Sequence, residues 1–358
     1  MRLLILFLTA ILVSTLPVMA QETAQRQFEE FVGKNLVDAL PSNVEISNDV
    51  GNFWSGVQRV FRDAIAKNEG ILQTSIKSSA IYLSIILFSA VGCLLTEENG
   101  RRAIILIGVT AILAKGLADL KLAVSGGTDA MDEIYTFSLM LLPVIAGACA
   151  AAGKMTASAA LYSGTALFLQ TLISVVKRLL VPLVYASLAL ASADAALGTD
   201  HMKRMRVFLT SIIKNAMRIL MLLFGAFMSL TGVLSGNADA LALKAAKLAV
   251  STMVPIVGGV VSDATETVLI GAKTVLQSVG LTGMLAILSI IIVPFAKLGL
   301  HYLCLQVTSA LCSVFGHKEH IAVLDALTTA VGFLTAMTAC CAVMAFVACI
   351  CFIKVSAH

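Results

Sequence analysis

The chain reads as an all-α polytopic membrane helix bundle, and three observations lead there. Hydrophobic residues fill 59% of its 358 positions and charged residues only 13%. The mean hydropathy is +0.95. A soluble domain carries about 25% charged residues to cover its surface, and this chain falls well short. Long apolar runs recur along it with short polar connections between them. A bilayer accepts such a surface if every backbone group is satisfied internally, which helices achieve.

Residues 1–20 have the layout of a cleavable signal peptide. Arg2 supplies the positive start, Leu3 to Val13 the apolar run, and Val18-Met19-Ala20 the small or tolerated residues before the cut. The run is shorter than the ~20 residues of a spanning helix. That favours cleavage after Ala20 over an uncleaved first anchor, and it puts the mature N-terminus outside the cytoplasm.

Residues 21–78 form an extracytoplasmic amphipathic-helical segment. Phe28, Phe31, Val32, Leu36 and Leu40 recur at near-helical spacing and stop before Pro41. A second helix over Phe53 to Ile65 carries Val57, Val60 and Phe61. The segment is too short for an independent core. Its helices lie on the membrane face, against a partner, or as caps on the bundle.

Residues 79–358 form the polytopic domain. Apolar runs occupy Ser79–Leu95, Ala103–Leu117, Ile134–Ala152, Ala157–Val176, Leu179–Ala191, Ile219–Leu234, Leu281–Phe295, Leu298–Phe315 and Leu327–Ile353. A span takes ~17 to 25 residues, so several runs are marginal and the expectation is about 7–9 transmembrane helices. Positive residues gather on the cytoplasmic side. With the N-terminus outside, Arg101-Arg102, Lys154, the cluster Lys203, Arg204, Arg206, Lys214 and Arg218, and Lys354 all fall inside. The expected topology is therefore N-out, C-in. Lys177-Arg178 does not fit it, which points to a re-entrant turn or a miscount there. Ala160 with Gly164, and Gly232 with Gly236, give the small-residue spacing that lets helices approach closely, within one chain or between copies.

Metal, thiol and nucleotide chemistry find no support. The cysteines at 93, 149, 304, 312, 340, 341, 349 and 351 all lie in apolar runs, where cysteine acts as a small hydrophobe. No C-x-x-C pair occurs. His317-Lys318-Glu319-His320 lacks the H-E-x-x-H order and reads as a solvated connector. The glycine loop that cradles phosphates is missing, as is a G-x-S-x-G elbow. The expectation is no enzyme activity, no cofactor, no metal and no nucleic acid.

The segment 237–280 stands apart. Leu241, Lys244, Ala245, Leu248 and Thr252 share adjacent turns of one helix, and Pro255, Gly258 and Gly259 break it. Asp263, three residues before Glu266, has capping-box spacing and marks the start of the next helix. Broken helices at membrane depth need protein or a water-filled cavity around them, as in the substrate regions of transporters. Two interfacial helices lying flat on the surface are the alternative.

These residues also carry a family resemblance. Ala245-Ala246-Lys247-Leu248, Val254-Pro255-Ile256-Val257-Gly258-Gly259, Ser262-Asp263-Ala264-Thr265-Glu266-Thr267-Val268 and Gly280-Leu281-Thr282-Gly283 resemble the signature of the stage III sporulation protein AE family. The plan of signal peptide, short secreted segment and polytopic body agrees. The resemblance implies a multi-pass protein of the mother-cell (outer forespore) membrane during sporulation. It also implies a channel-like, secretion-like complex that feeds the engulfed forespore and sustains its late gene expression. The implied partners are other subunits of the stage III sporulation A complex, including a secretion-type ATPase. A forespore-membrane channel partner and a YidC-type insertase complete the set. No catalytic residues carry over.

The residues themselves admit three roles: a channel or permease-like subunit, a secondary transporter with its own small-solute site, or a non-conducting scaffold for ring-forming partners. Ionisable residues inside spans are costly unless functional or paired. The candidates for lining a path are Lys115, Asp119, Asp194, Asp263, Glu266, Lys297 and Asp325.

Overall fold

The computed structural model of the chain describes residues 50–67, 70–151, 155–197, 202–253 and 258–357, and along 231–278 it describes the backbone alone. Every regular element among these residues is helical. They are α1 (Val50–Lys67), α2 (Gly70–Leu95), α3 (Glu98–Ala151) and α4 (Met155–Val175). A π-helical turn, Val176–Leu180, leads straight into α5 (Val181–Leu197). Then come α6 (Lys203–Met253), α7 (Gly258–Cys312) and α8 (Lys318–Ala357). The signal peptide and the helix expected over Phe28 to Leu40 lie outside the described residues.

Among the described residues, six helical stretches are long and apolar enough to cross a membrane: Leu72–Leu95, Gly100–Ala150, Ser158–Leu197, Lys203–Leu230, Val279–Cys312 and Lys318–Lys354. The sequence led to seven to nine because three pairs of apolar runs fuse. Glu98–Ala151 runs unbroken through 54 residues, about 80 Å at 1.5 Å per residue. The polar stretch between its two apolar halves stays helical. The double glycine at 126–127 would read as a break, yet Gly127 is buried, and a side-chain carbon there would meet Thr338 Oγ1 at 3.2 Å and Leu298 Cδ1 at 3.5 Å. A small residue is what the helix seam requires there. Lys177-Arg178 is not a turn at all. It sits in the π turn that joins α4 to α5, so the miscount lay there.

Side-chain contacts fix the direction of each helix. Cys93 of α2 meets Arg101 of α3, Ser89 lies by Ile104 and Tyr82 meets Asp119, so those two run antiparallel. His320 lies by Gly108, Leu327 by Gly116 and Thr338 by Gly127, so α8 runs parallel to α3. Helix α7 runs against α8, with Ser309 on Asp325 near one end and Gly280 against Ile353 near the other. Phe168 and Phe224 stack edge to face with centroids 5.6 Å apart, Phe227 lies by Gly164, and Met202 N–H donates to Asp194 at 2.8 Å. Helix α6 is therefore antiparallel to α4–α5.

These directions correct the expected topology. Arg101, Lys203, Arg204 and Lys318 begin helices at one end of the bundle, whereas Lys354 finishes α8 at the other. Lys154 falls between the helices α3 and α4 and outside the described residues. With α2 entering and α8 leaving at the same end, the first span and the C-terminus share a side. The N-out, C-in arrangement required an odd number of crossings, and fusion of the runs removed it.

The core is built mainly on α8. Val331, Leu334, Met337, Cys341, Met344, Ala345 and Ala348 are buried along its length among residues of α3 and α7. Helix α1 covers the second predicted amphipathic stretch. It buries Val60, and its Gly56 sits so close to Leu285 of α7 that an added side-chain carbon would meet it at 2.8 Å. Trp54 and Phe61 stay exposed.

Two further expectations change. Pro255 and the stretch 254–257, where the break is expected, lie outside the described residues. Helix α7 begins at Gly258, however, so Asp263 is a full turn inside it rather than at its start. Glycine has no steric bar to helical angles, and Gly258 and Gly259 are helical in the described part of α7. The His317–His320 connector is also less wet than its polarity implies. His320 is fully buried, with Nε2 3.1 Å from the Ile105 carbonyl and 3.4 Å from Ser89 Oγ.

Candidate functional site

The polar residues in the middle of α3 converge on one cleft. Lys115 and Asp119 are one helical turn apart and form an ion pair. Ser78 and Tyr82, one turn apart on α2, face them. The Lys115 ammonium donates to Ser78 Oγ at 3.1 Å and lies 5.8 Å from the Tyr82 ring centroid. The Tyr82 hydroxyl donates to Asp119 Oδ2 at 2.8 Å. Both charges are thus compensated within the wall of the bundle, by an opposite charge, two hydroxyl groups and an aromatic face.

The cleft opens next to this network. It has a volume of about 630 Å³ and lies between the first turns of α2, the middle of α3 and the middle of α7. Asp119, Asp129 and Glu133 line it from α3, and Lys297 and His301 line it from α7. Asp129 accepts from Ser125 Oγ at 3.1 Å. Among the described residues no hydrogen bond or ion pair reaches Glu133 or Lys297. The His301 Nε2 atom is shut away from solvent and unpartnered. Pro294, one turn before Lys297, interrupts the α7 hydrogen-bond ladder at the cleft wall.

On another face of α3, Asp132 pairs with Lys177 of the π turn. A π turn carries one extra residue through the helix and occurs often at functional sites. Here it coincides with a cross-helix ion pair at the height of the cleft. Among the described residues, no group of three or more His, Cys, Asp or Glu side chains is arranged to hold a metal.

The structure brings together three of the path candidates read from sequence: Lys115, Asp119 and Lys297. It separates two others. Asp194 is buried and accepts from the Met202 amide at the start of α6. Asp325 accepts from Ser309 between α8 and α7. The side chains of Asp263 and Glu266 are outside what is described. Sequence reasoning missed Asp129, Glu133, Tyr82 and His301. The spacing of Asp129 and Glu133 matches one helical turn, but it carries that meaning only if the helix continues past Gly126-Gly127.

A helical chain with six stretches of membrane-crossing length and a charged cleft at mid-height defines a class of polytopic helical proteins. The family model described as stage III sporulation protein AE matches residues 34–356. The chain belongs to that family. It is 24% identical over 239 residues to "Stage III sporulation protein AE" of Bacillus subtilis (strain 168). That alignment covers 66% of this chain and 59% of the relative, so it spans less than two thirds of the relative's length. No solved structure matches the chain.

Proposed function

We propose that this protein is a channel or permease-like subunit of a sporulation assembly, with the cleft between α2, α3 and α7 on the route of a solute. The observation that carries this reading is the cleft itself. Glu133 and Lys297 line it without partners, although both belong to helices long enough to cross a membrane. Charges at such positions are costly unless they pair or serve a path. A non-conducting scaffold has no use for them. Membership of the stage III sporulation protein AE family supports a role in sporulation. The mother-cell membrane, a signal peptide cut after Ala20, a partner ATPase, a forespore-membrane partner and a YidC-type insertase belong to the same proposal. The chain itself performs no catalysis in it, and energy comes from a partner or a gradient.

Complementation of a deletion strain tests the proposal. Glu133→Gln and Lys297→Met should reach the membrane in normal amounts and fail to support late spore development. Full sporulation with both variants refutes a role for the cleft.

A further inference from the structure

We propose that the cleft binds a small zwitterion, with an ammonium on the Asp129–Glu133 wall and a carboxylate on the Lys297–His301 wall. This rests on the reading of the cleft as a solute route and names the class of solute.

The argument starts from the unmatched charges. Asp119 is already neutralised by Lys115 and bound by Tyr82. Asp129 is exposed and held by Ser125 Oγ, which leaves Glu133 on α3 and Lys297 on α7 as one charge of each sign lining the same space. Lys297 forms no ion pair with either carboxylate, although Leu298 beside it packs near Gly127 at the same height. Lys297 and the two carboxylates are exposed side chains along the cleft. They stay apart here because the helices hold them on facing walls. Each then needs a counter-charge, and a molecule carrying both signs satisfies both at once. A simple cation would leave Lys297 uncompensated, and a simple anion would leave Glu133 so.

His301 gives the second, independent observation. Its Nε2 is buried, unpartnered and part of the same wall as Lys297. A neutral imidazole N–H can donate to a carboxylate oxygen, and a turn of the His301 ring would bring this nitrogen, shut away from solvent here, to a carboxylate seated by Lys297. Size agrees as well. Small-molecule sites span about 300–1,000 Å³, and the cleft measures about 630 Å³. Leu122, Val293 and Leu298 supply an apolar floor for an aliphatic side chain. Amino acids with modest apolar side chains have this combination of charges and shape.

The full chain in lipid nanodiscs is titrated with leucine, with isoamylamine as the matching cation, and with N-acetyl-leucine as the matching anion. Alanine and valine extend the series. Calorimetry and the unfolding midpoint report binding. The expected result is that at least one of the three amino acids binds, and that its affinity exceeds that of both single-charge analogues by about tenfold or more. Lys297→Met should weaken the amino acid by a similar factor and leave the amine unchanged. Glu133→Gln should weaken both the amino acid and the amine. If no amino acid binds the wild-type protein at millimolar concentration, or if the amine binds as tightly, the proposal is overturned. The wild-type panel decides this even where a variant is poorly made. Should Glu133→Gln and Lys297→Met abolish sporulation while no zwitterion binds, the route stands and only the solute class falls. Normal sporulation with both variants removes the route itself.

Discussion

Replacing Lys115 with methionine removes one half of an ion pair whose side chains are only 25% and 12% exposed, for Lys115 and Asp119 respectively. Methionine is close in length and apolar, so little packing changes and the loss is electrostatic. Asp119 keeps the hydrogen bond from the Tyr82 hydroxyl but loses its only counter-charge among the described residues. Removing one partner of a buried pair costs about 3–5 kcal/mol. Insertion scales set a lone charge at the centre of a membrane helix at ~2.5–3.5 kcal/mol. The ranges overlap near ~3 kcal/mol, about a hundredfold in the folded-to-unfolded ratio. Replacing both residues, Lys115→Met with Asp119→Leu, leaves no orphaned charge. It leaves the Tyr82 hydroxyl without its acceptor, which costs about 1–3 kcal/mol. The double variant should therefore be no less stable than Lys115→Met, and more stable if the hydroxyl finds water in the neighbouring cleft. The assay is equilibrium unfolding by sodium dodecyl sulfate in mixed micelles, run as a double-mutant cycle. A Lys115→Met protein as stable as wild type would refute the reasoning. Strictly additive losses in the double variant would show that the two residues do not act as a pair.

Three other outcomes are expected. At Gly164 an added side-chain carbon would meet the Phe227 ring at 1.9 Å, so Gly164→Ala should lower stability by ~1–3 kcal/mol, while Gly147→Ala, with nothing within 4 Å, should not; equal midpoints for the two variants in the same unfolding assay would contradict the α4–α6 seam. In a cysteine-depleted chain, a cysteine at 205 should resist an impermeant maleimide on intact cells and one at 354 should react, because the two positions lie at opposite ends of the bundle and the basic end faces the cytoplasm; labelling of both or of neither would contradict the helix directions. The paired Gly258→Leu, Gly259→Leu variant should insert normally and fail in late sporulation, since two bulky side chains there would block close helix approach; normal spores from a variant of wild-type abundance would make this stretch a plain connector.

The class of fold was legible because it depends on sums. Apolar content and run length decide between water and lipid whatever the details. Span number and topology were not legible, because both depend on whether a helix continues through a polar stretch. Gly126-Gly127 carries the local signature of a turn, yet Thr338 and Leu298 need the space that a side chain would fill, so tertiary packing overrides local preference. Lys177-Arg178 misled for a related reason. Two cations in an apolar stretch look like a connection, but Asp132 on α3 compensates one of them across the bundle. The same continuity creates the cleft. Only when α3 runs unbroken from Lys115 to Glu133 do Asp119, Asp129 and Glu133 share a wall, and only when α7 passes through Pro294 do Lys297 and His301 face them. Asp129 and Glu133, which fall between two apolar runs in the sequence, join that wall only through this continuity. Long apolar halves on either side of the belt set their position along the helix, and the neutral pair Lys115–Asp119 braces it.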